Sequence, residues 1–549
     1  MASAAPMSMP TTKPSLQPTD ELISLPIELK SLIFTHLSSQ DLLALSATCR
    51  ALHAIVHPVA YHHITLTWDN SPSQPSKAPV LQRLLRTLIE KPELASRVKK
   101  LDLRAKNCMR DFSDQGKFKV NVPENEVELD DAELTFFQSV VRDLGLMDKG
   151  TWDASPDHIT QRHFTMLGLL LAHCSQLEQL HLSVALILPH EWFESLVHQG
   201  LISGGRKAAW MRGLKRFRLT CDPGSETFEP GFLGLEKVFL WPFCLPVVEE
   251  LEIAHLEDPV SLADMNAAES NGEDYTAKWW PIDTPPSLTN LTSLRLTRCS
   301  AEPHTLDLVL RQTPSLRVLE LDRIQHPVHP AFDLDALKAA LLHVAPMLER
   351  LSVRWEIYPI QEIDVPAGMR LVDSPPLSAV GRLGNFMAFS RLTDLEISLP
   401  TLFGAEDPKA GVFYPLSAVL PPTLQTLIIT DDLYDFRDFR RYLQDAEAMA
   451  IFERYLVGDG EGEGEWRTST PRLKKFVFDH RKRGYFIRMI KRMEERARGP
   501  RRTTQTARKS TAGKAQKIRY GYWDDEHTIE RLRRMCEAQG IEGEVLWRS

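Results

Sequence analysis

A chain of 549 residues and 62.4 kDa exceeds what one hydrophobic core ordinarily organises, so a small module joined to a larger or repetitive body is expected. With 43% apolar and 25% charged residues and a net charge of −8, the composition excludes a wholly disordered chain. The longest apolar stretch, around 167–189, is interrupted by His173, Gln176, Glu178 and His181 and is too polar for a membrane helix.

Residues 1–20 are rich in Pro, Ser and Thr and are expected to be disordered, with no basic start leading into an apolar run and so no expected secretory signal. Seven cysteines are scattered without a C-x-x-C pair, which fits reduced thiols in a nuclear or cytoplasmic protein. From Asp20 the rhythm turns helical. Pro26 suits a first helical turn, and Glu28 places negative charge at the positive end of the helix dipole. Leu25, Leu29, Ile33, Phe34 and Leu37 predict one apolar stripe. Ser38 with Asp41 three residues on is a capping-box arrangement opening a second helix through Leu42 and Leu45. A third helix carries Leu52, Ile55 and Val56 before Pro58. Three short helices bury little surface alone, so the unit is expected to lean on a partner or on the following domain, with a stand-alone three-helix core as the alternative.

These residues also resemble a known family. Leu25-Pro26-x-Glu28-Leu29, Ile33-Phe34-x-x-Leu37, Asp41-Leu42-x-x-Leu45, Cys49-Arg50-x-Leu52 and Val56 with Tyr61 together look like an F-box over residues 22–68, about a tenth of the chain. The resemblance implies docking on the Skp1 adaptor of cullin-based ubiquitin ligases, with Leu25, Pro26, Ile33, Phe34, Leu37, Leu42 and Leu45 supplying that contact or its support. At its motif position Cys49 reads as a small apolar residue and not as a nucleophile.

Residues 21–68 are therefore read as an F-box unit, 69–95 as a linker helix, 96–480 as a repetitive α/β body and 481–549 as a basic tail. In the body an apolar-x-x-apolar-x-apolar pattern recurs ten times, centred on Leu101, Leu180, Phe217, Leu251, Leu294, Leu319, Leu351, Leu395, Leu427 and Phe476. Helical stretches intervene, as at 306–310 and 334–342. The units resemble divergent leucine-rich repeats, which implies an irregular α/β solenoid; an ordinary α/β domain with parallel strands is the alternative. Long insertions are expected near 108–166, 259–287 and 357–386. Alternate strand residues would face an inner recognition surface, with His181, Arg218, Glu252, Arg295, Glu320, Asp322, Arg350, Arg354, Asp394 and Glu396 as candidates to meet a target protein. Their mixed signs name no single class of target.

No phosphate-binding, nucleophile-elbow or zinc-protease motif is present, so no catalytic residue, metal or cofactor is expected and a direct enzyme is not. The Gly–acidic run at 458–465 lacks calcium-loop spacing and reads as a linker. Between Arg472 and Trp523 stand 18 Lys or Arg against 3 acidic residues, leaving 47 basic and 70 acidic elsewhere. A basic tail on an acidic body suggests an acidic partner, a nuclear import signal or association between the two parts, and direct nucleic-acid binding stays open.

Residues 501–515 of that tail resemble the amino-terminal tail of the core histone of type three: 505–511 match without a break, and Gly513, Lys514 and Ala515 resume the match. Thr504 and Ala512 depart from it. The resemblance implies that Lys509 and Lys514 are modifiable lysines and Ser510 a phosphorylatable serine, with a histone methyltransferase or chromodomain reader as partner. An accidental basic linker or import patch is the alternative. A terminal amphipathic helix is predicted over 528–536.

Overall fold

A computed structural model of the chain describes residues 22, 24–71, 77–112, 117–120, 122–123, 130–144, 159–187, 209–220, 240–256, 280, 285–325, 332–357, 379–404, 415–432, 445–458, 463–479 and 526–546. The expectations for residues 1–20 and 501–515, and for much of the three long insertions, concern residues outside this set.

Three helices open the described chain: α1 (Ile27–Thr35), α2 (Ser39–Ser46) and α3 (Arg50–Ala60). Strands β1 (His63–Asp69), β2 (Lys100–Lys106), β3 (Gln179–Ser183), β4 (Arg216–Thr220), β5 (Glu250–Ala254) and β6 (Ser293–Cys299) follow. Strands β7 (Val318–Gln325), β8 (Arg350–Ile357), β9 (Asp394–Ser398), β10 (Thr426–Thr430), β11 (Lys475–Asp479) and β12 (Glu542–Leu546) complete one twelve-stranded sheet. Its strands lie in chain order, and every neighbouring pair is parallel. A parallel neighbour requires a crossover that returns the chain to the same edge, and here it is often a helix. Four crossovers carry α4 (Leu81–Glu90), α5 (Ile159–His173), α6 (Pro303–Arg311) and α7 (Leu334–Leu342). Later ones carry α8 (Asp445–Leu456) and α9 (Glu526–Ala538).

The repeated pattern explains the register. Leu101, Leu180, Phe217, Leu251, Leu294, Leu319, Leu351, Leu395, Leu427 and Phe476 sit opposite one another in a single row across the sheet. All are buried on the helix side in one continuous core. Burying a leucine side chain contributes about 1.5–3 kcal/mol, so each unit gains by covering its neighbour. A one-residue slip would turn these side chains outward, and the apolar row therefore fixes the register. The first apolar residue of each motif, such as Leu177 or Leu316, is buried just ahead of its strand.

Backbone hydrogen bonds repeat with the same period. The carbonyl just before a strand accepts two successive N–H groups of the next unit: Lys99 accepts from Glu178 and Gln179, and Glu349 from Thr393 and Asp394. Beside the sheet, the buried guanidinium of Arg323 lies 3.6 Å from the ring centre of Phe332 and donates to the Ala301 carbonyl. Trp355 is held by its backbone N–H to Asp432 (2.9 Å) and by its indole N–H to Thr401 (2.8 Å).

Ten strands fall on the ten repeated motifs. The other two strands of this sheet lie outside them: β1 at the end of the 21–68 unit and β12 beyond the last motif. The predicted terminal helix is present as α9, and β12 after it pairs with β11. Residues 480–525 thus leave from one strand and return, through α9, to its neighbour.

Candidate adaptor and target interfaces

Helix α1 starts after Pro26, whose φ of −52° suits a helix entrance and which has no N–H to leave unsatisfied. The capping box at α2 is complete. Ser38 Oγ accepts from the Asp41 N–H at 3.1 Å, and the Asp41 carboxylate accepts from the Ser38 N–H at 3.3 Å. Cys49 caps α3, its sulfur accepting from the Leu52 N–H at 3.5 Å. The thiol is half-buried and serves a local backbone role.

The three helices enclose a small core of Phe34, Leu42, Leu52 and Val56, separate from the core under the sheet. Leu25, Leu37 and Leu45 are half-buried, while Pro26 and Ile33 are exposed. The expected single stripe of α1 divides: Phe34 and Lys30 face inward, whereas Leu29 and Ile33 face outward. With Ile27 (54% exposed), Leu32 (59%) and Leu43 (60%), they leave α1 and α2 with five large apolar side chains in solvent. Sequence reasoning did not single out Ile27, Leu32 and Leu43, because periodicity alone assigns apolar residues to an internal core. Exposed apolar groups are thus concentrated on one small unit.

The sheet's second face carries alternate side chains of each strand. Among the described residues, the charges there form ladders between neighbouring strands. Arg216 pairs with Glu250 (3.1 Å), Arg218 with Glu252 (3.4 Å), Arg295 with Glu320 (3.5 Å) and Lys475 with Glu542 (3.0 Å). Glu396 accepts from Arg354 and, at 2.9 Å, from Ser352. Burial lowers the Arg354 pKa, but Glu396, with Asp432 and Asp322, more than reverses it, and the guanidinium is held above its ordinary value. One cleft brings Glu320, Asp322, Arg350, Arg354, Asp394 and Glu396 together, and Arg295 lines the next cleft along with Arg218 and Glu252.

At the sheet's beginning, Asp102 is buried and accepts from Arg104 (2.8 Å) and from His181, whose Nδ1 lies 2.8 Å away. Burial raises the Asp102 pKa, yet these two partners outweigh it and hold the carboxyl well below the usual carboxylate range. Lys509, Ser510 and Lys514 lie outside the described residues. Among the described residues no group of three or more His, Cys, Asp or Glu is placed to hold a metal, and no helix is long and apolar enough to cross a membrane.

Comparison with known proteins bears on the helical unit. No curated protein matches the chain. A family model described as F-box-like matches residues 22–67, the stretch that runs through α1, α2 and α3 into β1, so the chain carries an F-box-like domain at its amino-terminal side.

Proposed function

We propose that this chain is the substrate-recognition subunit of a Skp1–cullin–F-box ubiquitin ligase, residing in the nucleus or cytoplasm. An F-box-like domain suggests an adaptor role, typically through Skp1, and proteins that carry one are usually non-catalytic. The observation that carries the reading is the coincidence of that match with the exposed apolar side chains of α1 and α2. Docked there, Skp1 would cover surface that is otherwise unfavourably hydrated. The sheet would then hold a target protein, read here as a divergent leucine-rich-repeat solenoid presenting its open face. Catalysis of ubiquitin transfer would belong to other subunits. This chain would supply proximity, raising the effective concentration of a target's lysines.

The test is co-purification of the full chain with Skp1. Leu32→Lys with Leu43→Lys places two charges on exposed positions and is expected to abolish association while leaving the unfolding transition in place. Undiminished association of that double variant, or no association of the folded wild type, would overturn the reading. Phe34→Ala makes a useful contrast, because it strikes the internal core and is expected to lower both stability and association.

A second reading is favoured by the unbroken histone-like run at 505–511: a chromatin-associated scaffold whose segment recruits lysine-modifying or methyl-lysine-reading proteins. Methyl-lysine at 509 would enter an aromatic cage by cation–π attraction. The segment lies between β11 and β12 in the chain, so a reader that grips a free amino terminus is unsuited to it. Incubation of the full chain with a histone lysine methyltransferase, followed by mass spectrometry, should show methylation lost in Lys509→Arg. An unmethylated wild type would sink this second reading.

A further inference from the structure

The open face is not uniform along the sheet. On β1 to β4 it presents Lys100, Arg104, Lys106, Arg216 and Arg218 against the carboxylates of Asp69 and Asp102. On β5 to β12 it presents Arg295, Arg350, Arg354 and Lys475 against Glu250, Glu252, Glu320, Asp322, Asp394, Glu396, Asp479, Glu542 and Glu544. A chain that is acidic outside its tail therefore begins its sheet with a basic third.

Within that third the counter-charge is already committed, and Arg216 and Arg218 are themselves paired with Glu250 and Glu252 of β5, so the surplus lies on β2. Asp102 is taken by Arg104 and His181, and Asp69 accepts from the Ser71 N–H and from Asn107. Lys100 stands between His63 on β1 and Gln179 on β3, directly opposite both in register. Among the described residues no carboxylate lies within ion-pair distance of it. Burial is the main reason the His63 pKa is lowered, and Lys100 adds to it against an opposing pull from Asp102.

We propose that the open face around β2, centred on Lys100 and flanked by His63, Arg104 and Lys106, binds an extended acidic segment of a partner protein. Lys100, Arg104 and Lys106 recur along β2 at multiples of the two-residue repeat of about 6.8 Å, which is also the spacing of alternate side chains in an extended peptide laid along that strand. A nucleic acid fits less well. The open-face residues of β1 to β4 include Thr65, Thr67, Gln179 and Thr220 but no Phe, Tyr or Trp on which bases would stack, and the acidic remainder of the face repels a dense polyanion. The proposal rests on reading the open face as the target-binding surface and adds the chemical class of the target.

The experiment uses the full chain and a fluorescein-labelled decapeptide of alternating glutamate and serine, with a phosphoserine version in parallel to separate carboxylate from phosphate recognition. Fluorescence anisotropy should show saturable binding that weakens with salt, and Lys100→Glu should weaken it by at least about tenfold, because a like charge replaces an attraction. Lys475→Glu, at the acidic end, should leave it unchanged. By linkage, the bound peptide should raise the His63 pKa, followed by NMR titration of its ring protons. Binding that is indifferent to Lys100→Glu, no binding of either peptide, or tighter binding of a single-stranded oligonucleotide would overturn the assignment. Skp1 co-purification of Lys100→Glu keeps the two readings apart: it should be normal, since Lys100 lies outside α1 and α2.

Discussion

Asp102 and His181 stand side by side on neighbouring strands, the histidine Nδ1 2.8 Å from the carboxylate and its Nε2 2.6 Å from the Thr220 hydroxyl. The Asp102 carboxylate accepts from Nδ1–H, Nε2 meets the Thr220 hydroxyl, and a polar chain links three strands across the open face. Its anchor is a buried carboxylate, so its energetic weight lies in the hydrogen bonds that satisfy the charge.

Asp102→Asn should lower stability at neutral pH by about 2 kcal/mol, the cost of weakening charge-assisted bonds at a buried site. The sign follows from the folded-state pKa, which is depressed. The wild-type contribution is present above the unfolded value and is lost as pH falls toward the folded one. Denaturant unfolding of the two proteins should therefore show a gap that narrows progressively below about pH 4.

His255 offers a second pH signature. It is buried at a φ of 58°, and burial, helped by Arg298, pushes its pKa down to about 3. Between that value and the ordinary 6.5 the unfolded chain takes up a proton that the folded one does not, so stability falls as pH drops through this window. His255→Asn keeps a residue tolerant of left-handed backbone while removing the titration. Its unfolding midpoint should vary less between pH 7 and pH 5 than that of the wild type.

Gly543 is the one position in the central row of the sheet where no side chain is tolerated. A Cβ there would lie 2.6 Å from Cys536 Cβ and 3.1 Å from its sulfur. Gly543→Ala should push α9 from β12 and destabilise the terminal unit by about 1–3 kcal/mol. Hydrogen exchange should show lost protection in β12, with β5 to β8 unaffected.

The thiols should divide sharply in reactivity. Burial pushes Cys174 and Cys244 up to about 12 and Cys536 to about 11. The thiolate is the reactive form, so native alkylation with iodoacetamide at pH 8 should spare these three and label half-buried Cys49 first among the described cysteines. Early labelling of Cys174 would contradict its burial in the core under the sheet.

Ten strands and the capping box at Ser38 were legible because each rests on local pattern: a buried leucine row needs its period, and a cap needs one acceptor at one spacing. β1 was also within reach, since Ile64, Leu66 and Trp68 alternate, but the adjoining helices drew those residues into the preceding unit. β12 was not, because Glu542, Gly543 and Glu544 give no apolar rhythm and the strand is defined by its ladder to β11. At the candidate sites, pattern named Arg354 and Glu396 but not their union. It also gave no hint that Arg323 lies in the core, where stacking on Phe332 and the Ala301 carbonyl replaces water. On α1, residue type could not tell an outward Leu29 from an inward Phe34, since that depends on which neighbour covers each side.

The return of the chain through α9 to β12 has a consequence for proteolysis. Leu532, Cys536 and Ile541 are buried in the sheet's core, and Lys475 bonds both Glu542 and Glu544 across the last pair of strands. A cut within 480–525 would therefore not trim a tail. It would split the protein into two fragments held by a buried interface, and the terminal unit would become a separable subunit whose occupancy depends on concentration.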